Sequence, residues 1–256
     1  MNDLQMLLRS RSLTLVLNRG RRQRAKPVAS FRWNGRPVFY RPGSSDIGNI
    51  RKLLLAGEAE AEYETPQALA PEVVLDIGAN TGLAALRFAN LYPQARIYAF
   101  EPEPENFALL QRNVKAYPNI TALPIALSRT DGPLYLGGGT DGDFVSFQTL
   151  SSKRPNSNQL EVSGRNPATL LTELGIRRVD LIKIDVEGAE YDVLTALPPE
   201  LLRQTSWIVG ETHGVMDFEL LALLSRDFEV GVSKPRTSRL LKFSARNRTL
   251  LSPRPA

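Results

Sequence analysis

Asp180-Leu181-Ile182-Lys183-Ile184-Asp185-Val186-Glu187-Gly188-Ala189-Glu190 puts four ionisable groups after Asp180 into one strand end and the helix that follows it. Charge is costly to bury without a partner. Lys183, inside an apolar strand, is therefore expected to pair with one of these carboxylates, and Asp185 to stand at the strand's carboxyl end with Glu187 nearby. That edge of an open α/β sheet is where ligands bind. A second candidate strand, Trp207 to Glu211, runs into Glu211-Thr212-His213, and His213 is the single histidine of the chain. A lone histidine is more often structural, but an imidazole at this edge is suited to taking a hydroxyl proton near neutral pH. Asp185, Glu211 and His213 also form an oxygen/nitrogen set for a divalent metal, although their spacing matches no dedicated metal motif. The general-base reading of His213 is preferred narrowly over the ligand reading.

A ligand for such chemistry needs a cradle, and Val73-Val74-Leu75-Asp76-Ile77-Gly78-Ala79-Asn80-Thr81-Gly82 has the form of one. It reads as a strand apolar on both faces, as a central parallel strand is, ending in an acidic residue and a small-residue turn that opens a helix. Ala95 to Phe100 then runs into Glu101, about 20 residues past the glycine turn, where this architecture presents a carboxylate to ribose hydroxyls. The turn reads D-x-G-x-x-x-G rather than the G-x-G-x-x-G that cradles a pyrophosphate. A carboxylate at Asp76 would repel a diphosphate and attract a cation. S-adenosylmethionine carries a sulfonium, an ammonium and no phosphate, so it is the expected cofactor, ahead of a nicotinamide dinucleotide and an oxidoreductase function.

Positioning these groups requires a specific set of elements. Phe31 to Tyr40, with Asn34-Gly35 between aromatic-rich halves, predicts a two-residue hairpin. Ser45 or Asp46 is expected to cap a helix running to about Ala56. Residues 1–70 thus read as a basic arm and a hairpin/helix cover, and residues 71–256 as the cofactor-binding domain. A helix over Asn106 to Ala116 and a strand over Ile120 to Leu127 come next, then a short strand at Gly132 to Leu136. Residues 137–158 read as a long irregular segment, functional or disordered. Helices are expected at 167–174, 188–197 and 217–224, and strands at 179–185, 207–211, 228–232 and 239–243. No internal repeat is visible.

The chain has 256 residues, 42% of them hydrophobic, enough for one α/β domain with a short extension. The absence of cysteine excludes disulfides, thiolate metal sites and thiol nucleophiles. No apolar run approaches the roughly 18 residues of a membrane span, and the Leu13 to Leu17 stretch precedes its basic cluster rather than following it, unlike a signal peptide. A cytoplasmic location is expected. Charge is segregated: residues 1–56 hold 12 Lys/Arg and 2 Asp/Glu, residues 57–229 hold 13 and 25, and residues 230–256 hold 7 and none. The basic run Arg19 to Lys26 lacks interleaved aromatics, so nucleic acid is not expected as a partner. A merely solvated arm is the preferred reading of that run, ahead of contact of the basic ends with an anionic membrane.

Taken in order, Arg41 to Asp46, Glu62-Tyr63, Asp76 to Gly82, Phe100-Glu101-Pro102, Ile125-Ala126-Leu127-Ser128, Asp180 to Glu190 and the terminal Glu-x-His resemble the FkbM methyltransferases. The resemblance implies a class I methyltransferase fold, a Rossmann-like, mostly parallel sheet of seven strands. It also implies S-adenosylmethionine as donor and, usually, O-methylation of a sugar, glycolipid or polyketide-type hydroxyl. By that likeness Asp76, Gly78, Ala79, Asn80, Gly82, Glu101, Pro102 and Ala126 are the expected cofactor contacts. Lys183, Asp185, Glu187, Glu211 and His213 are the expected catalytic group. A looser likeness to catechol-type methyltransferases makes Asp185 and Glu211 candidate magnesium ligands. A small molecule or glycan is the expected acceptor, and a non-catalytic binding module with the same fold is the alternative of a different class.

Overall fold

The computed structural model describes residues 2–18, 28–57, 62–66, 68–138, 147–151, 159–234 and 240–250. The basic run Arg19 to Lys26 and most of the 137–158 segment lie outside them. The chain begins with two short helices absent from the sequence reading, α1 (Asp3–Ser10) and α2 (Leu13–Leu17). Asn2 and Gln5 cap α1 reciprocally and Ser12 caps α2, each side chain satisfying a helix-start amide. The expected hairpin follows as β1 (Ala29–Trp33) and β2 (Arg36–Tyr40), with Asn34 and Gly35 both at positive φ in its two-residue turn.

Helix α3 (Asp46–Leu53) starts at Ser45, but neither expected cap makes a capping bond. The Asp46 carboxylate instead accepts from the Arg41 backbone and guanidinium at 2.8–2.9 Å. Arg41 reaches on to Asn106 at 2.8 Å, which ties the cover to the sheet domain.

The domain itself alternates strand and helix: β3 (Val73–Ile77), α4 (Leu83–Leu91), β4 (Arg96–Phe100), α5 (Pro104–Val114) and β5 (Ile120–Leu123). The expected strand from Ile120 to Leu127 is in fact two, divided at Pro124, whose ring nitrogen has no proton for a ladder bond. Its second part, β6 (Ala126–Leu127), joins a separate sheet with β7 (Gly132–Gly138), β8 (Phe147–Ser151) and β9 (Leu160–Arg165), in the order β6-β9-β7-β8. The segment expected to be irregular therefore carries a strand, β8, paired antiparallel with β7, and the β7–β9 pairing flanks it.

Helix α6 (Pro167–Glu173), β10 (Leu181–Ile184), α7 (Glu190–Ala196), α8 (Pro199–Arg203), β11 (Trp207–Thr212), α9 (Asp217–Leu224), β12 (Phe228–Ser233) and β13 (Leu241–Asn247) complete the chain. The last strand lies further along than the 239–243 expected, because Ala245 and Asn247 are buried and the Asn247 amide donates to the Arg203 and Thr205 carbonyls.

The main sheet has seven strands in the order β12-β13-β11-β10-β3-β4-β5, with β13 antiparallel to its neighbours. This is the expected mostly parallel sheet. The chain builds outward from β3 on one side through β4 and β5, and on the other through β10 and β11. A crevice opens where the direction reverses, at the carboxyl ends of β3 and β10. Val74 packs into one apolar layer with α4 and the cover, whereas Val73, Leu75 and Ile77 pack into the other with α6, α7 and α9. Met6, Leu15, Val38 and Ile50 share the first layer, so the cover is continuous with the sheet's core. Among the described residues no helix is long and apolar enough to cross a membrane.

Candidate active site

The turn after β3 engages its own amides. Gly78 and Ala79 both donate to the Phe100 carbonyl, at 3.1 and 2.9 Å, and Gly82 donates to the Ala79 carbonyl at 2.8 Å. Asn80, at φ 50°, donates its amide to the Glu101 carboxylate at 2.7 Å. These donors are not free to cradle a pyrophosphate, which removes the physical basis of dinucleotide binding here. The two glycines serve close packing. A Cβ on Gly78 would lie 1.8 Å from the Asp185 carbonyl oxygen, and one on Gly82 would lie 2.5 Å from Leu110 Cδ1. Gly78 lets the ends of β3 and β10 meet; Gly82 lets α4 start against α5.

Asp76 is not on the cavity wall as expected. Fully buried in β3, it faces Lys183 across the register with β10, at 3.2 Å. Lys183 is thus paired in the core as expected, but with Asp76 of the neighbouring strand rather than with a carboxylate of its own 180–190 stretch. Its Nζ also donates to the Gly78 carbonyl at 2.6 Å, which pins the glycine turn. Burial pulls Lys183 down, but Asp76 and Asp185 outweigh it and leave the ammonium firmer than usual. With its charge paired and its proton directed at a carbonyl, Lys183 has the surroundings of an anchor rather than of a proton donor.

Glu101 follows β4 at the cavity wall and is 6% exposed. It accepts from the Asn80 and Glu103 amides at 2.7 and 3.0 Å. Burial pushes its carboxyl up to about 7, opposed by those two amides. Glu103 in turn caps α5 through the Glu105 and Asn106 amides. Asn113 on α5 bonds to Phe39 in the cover and to the Thr81 carbonyl in the turn, at 2.6–3.1 Å, so one side chain ties hairpin, helix and cradle together.

Asp185, Glu187, Glu211 and His213 meet at the other end of the crevice. Nε2 of His213 lies 3.6 Å from Asp185, 3.6 Å from Glu211 and 3.7 Å from Glu187. Nδ1 lies 2.9 Å from Glu190, a buried carboxylate that also accepts from the Val186 and Gly188 amides. Burial opposes a charge on the ring, but Glu190, Glu211 and Asp185 overcome it and push the His213 pKa up to about 11. Without a cation the ring is thus an imidazolium at neutral pH, a charge state that does not suit the general-base role expected of it, and a cation at Nε2 would have to displace that ring proton. The ligating atoms of Asp185, Glu211 and His213 lie within 4.8 Å of one another. An octahedral cation with bonds of about 2.1 Å sets opposite ligands about 4.2 Å apart, so this set fits one after small adjustment.

A cavity of about 430 Å³ joins the two ends, its wall running from Ala79, Asn80, Glu101 and Pro102 past Ala126 to Asp185, Glu211 and His213. The Asn80 side-chain oxygen is buried there without a hydrogen-bond partner. Tyr63, from the cover, donates to Asp185 at 2.8 Å, and Glu62 holds Lys52 at 2.9 Å and Lys242 at 2.6 Å. The sequence reading assigned no role to Glu190, Tyr63 or the Glu62 pair of lysines. Glu190 did leave a signal: with Val193 and Leu194 it forms an i, i+3, i+4 face, a carboxylate on the apolar side of α7. Tyr63 stood only within the Glu62-Tyr63 match, and nothing in the sequence joined it to Asp185, 122 residues away.

Comparison with known proteins fits this site. The methyltransferase FkbM domain matches residues 76–240. The chain is 32% identical over 183 residues to the 2-O-methyltransferase NoeI of Sinorhizobium fredii, across 64% of this chain and 75% of NoeI. It is 26% identical over 182 residues to the hexuronic acid methyltransferase AglP of Haloferax volcanii, across 68% and 64% of the two chains. Among solved structures, methyltransferase FkbM from Methylobacillus flagellatus shares the fold with a TM-score of 0.50 at 16% identity, covering 78% of this chain and 53% of that one. Membership implies S-adenosylmethionine as the methyl donor: the chain belongs to the FkbM methyltransferase family and is an S-adenosylmethionine-dependent methyltransferase.

Proposed function

We propose that this methyltransferase acts on a hydroxyl oxygen of a sugar, glycolipid or polyketide-type acceptor. The observation that carries the reading is one continuous cavity with a ribose-type carboxylate, Glu101, at one end and the acid–histidine cluster at the other. Glu101 would accept from the donor's ribose, Asn80 Oδ1 from its amino group, and Ala79, Pro102 and Ala126 would line the apolar wall around it. S-adenosylmethionine supplies an electrophilic methyl group when bound. Rate then comes from holding the acceptor oxygen in line and close, and from removing its proton.

Asp185, Glu211 and His213 are read as a divalent-cation site, favoured because three carboxylates surround Nε2 without a hydrogen bond as short as the one on Nδ1. Asp185, Glu211 and His213 would hold such a cation, whose chemistry would be to make the acceptor hydroxyl more acidic. Glu190 would hold the ring for that role, and Tyr63 would orient Asp185. Glu187, its carboxyl raised by burial, would accept the proton. Without a cation, Asp185 is the carboxylate left to take it. Residues 1–70 act in this reading as cover and 71–256 as catalytic domain, working in the cytoplasm where the donor is made.

Incubating the protein with labelled donor and cell glycans or lipids, then analysing products by mass spectrometry, tests the proposal. A methylated hydroxyl is expected, with activity falling at least tenfold in chelator and returning with magnesium or manganese. Methylation of nitrogen or carbon alone would overturn the acceptor class. Full activity after exhaustive chelation would remove the cation and leave Asp185 as base.

A further inference from the structure

An ordinary surface helix buries its apolar face and shows polar residues to water. The two N-terminal helices bury apolar residues on one side and show apolar residues to water on the other. In α1, Met6 and Ser10 are buried, while Leu4 and Leu8 are 65% and 66% exposed. In α2, Leu15 is fully buried, while Leu13 and Leu17 are 60% and 58% exposed. Each exposed pair is spaced i, i+4 and so shares a helix face. Each pair also lies two positions, about 200° of helix turn, from the residue that anchors its helix to the core. Both leucine faces therefore point away from the protein body. Four large aliphatic side chains grouped on two adjoining helices are a different matter from apolar residues scattered singly on a surface.

Charge indicates what they meet. Arg11, at the junction of the two helices, is exposed, and residues 19–26 of the sequence hold five Lys/Arg and no Asp/Glu. Across the two helices and their junction the exposed charges are Arg9 and Arg11 against Asp3. A second copy of the chain brought to this face would bring like charge to like charge. A bilayer rich in anionic lipid offers the complement to both features: hydrocarbon for the leucines and negative headgroups for the arginines and lysine.

We propose that α1 and α2 form a peripheral membrane-docking surface, with Leu4, Leu8, Leu13 and Leu17 entering the headgroup–acyl boundary of an anionic leaflet. The basic sequence that follows adds long-range attraction. The leucine contribution is insensitive to salt, whereas the charge contribution is screened within about 8 Å at physiological ionic strength. Such docking would present the enzyme to acceptors that carry a lipid anchor, and it stands independently of which hydroxyl is methylated.

Co-sedimentation of the full chain with vesicles tests this, using pure phosphatidylcholine against phosphatidylcholine containing about a third phosphatidylglycerol, a fraction chosen to give a clearly negative surface. The parent is expected to partition onto the anionic vesicles at least tenfold more strongly than onto the neutral ones. The variant L4S/L8S/L13S/L17S should lose at least tenfold of its anionic-vesicle partitioning at both low and high salt. It should keep the parent's donor affinity, because these four side chains are outside the core. A second variant, Arg11→Glu, should lose partitioning mainly at low salt. Equal partitioning of parent and leucine variant would overturn the proposal. So would a parent that ignores anionic vesicles, and so would light scattering showing a dimer that the leucine variant dissolves, which would reassign the face to a contact between copies.

Discussion

His213 Nδ1 stands 2.9 Å from the Glu190 carboxylate, and Glu190 is itself fixed by the backbone amides of Val186 and Gly188. The ring is therefore held from the side opposite the three carboxylates that approach Nε2. A carboxylate behind a histidine fixes the ring's orientation and raises its basicity as a ligand.

Glu190→Gln should accordingly lower manganese affinity and methyl transfer together, by about 10- to 100-fold, the range seen when such outer partners are removed. Manganese titration by electron paramagnetic resonance reads the first and turnover the second. Unchanged affinity with only a lower melting temperature would reduce Glu190 to a packing role.

Glu101 gives a pH signature. Its folded pKa is raised to about 7 by burial, so its contribution to stability is present in full below the unfolded value and is lost as pH rises toward 7. Donor binding runs the other way, because ribose hydroxyls donate to the ionised form. Affinity for S-adenosylmethionine should fall by up to about tenfold per pH unit below 7. Glu101→Gln should cost about 10- to 100-fold in affinity at pH 8, the loss of charge-assisted hydrogen bonds, and should flatten the profile. Calorimetric titration from pH 5.5 to 8 checks both, and a flat profile for the parent would detach Glu101 from the ribose.

Lys183 and Asp76 should matter for stability first. Lys183→Met leaves a carboxylate buried without its cation and the Gly78 carbonyl without its donor. A loss of about 3–5 kcal/mol is expected, read from urea unfolding. Replacing both partners by apolar residues of similar size should recover much of it, since the desolvation penalty then disappears. If Lys183→Met unfolds at the parent's urea midpoint but has lost turnover, Lys183 belongs with the chemistry after all.

Local rules were legible in the chain itself. The apolar run before Asp76 could only be a buried strand, Asn34-Gly35 could only close a two-residue hairpin, and Glu101 followed the glycine turn at the distance that brings it beside the cradle. Those features depend on backbone sterics and side-chain periodicity within a few residues, which survive without knowledge of the rest of the fold. Proline at Pro124 could have divided the 120–127 run on the same grounds. The second sheet and the strand at 160–165 depend instead on pairing between segments with mixed, weak patterns, and only the partner strands decide them. Asp76 shows the same limit at the site. Its position in the turn motif pointed toward a ligand, but the register of β3 on β10 sets it against Lys183 in the core. The state of His213 lies furthest from the sequence, because its protonation depends on four carboxylates brought together by two strand ends, a turn and a helix start. Electrostatic work falls with distance in space, and the chain order records none of those distances.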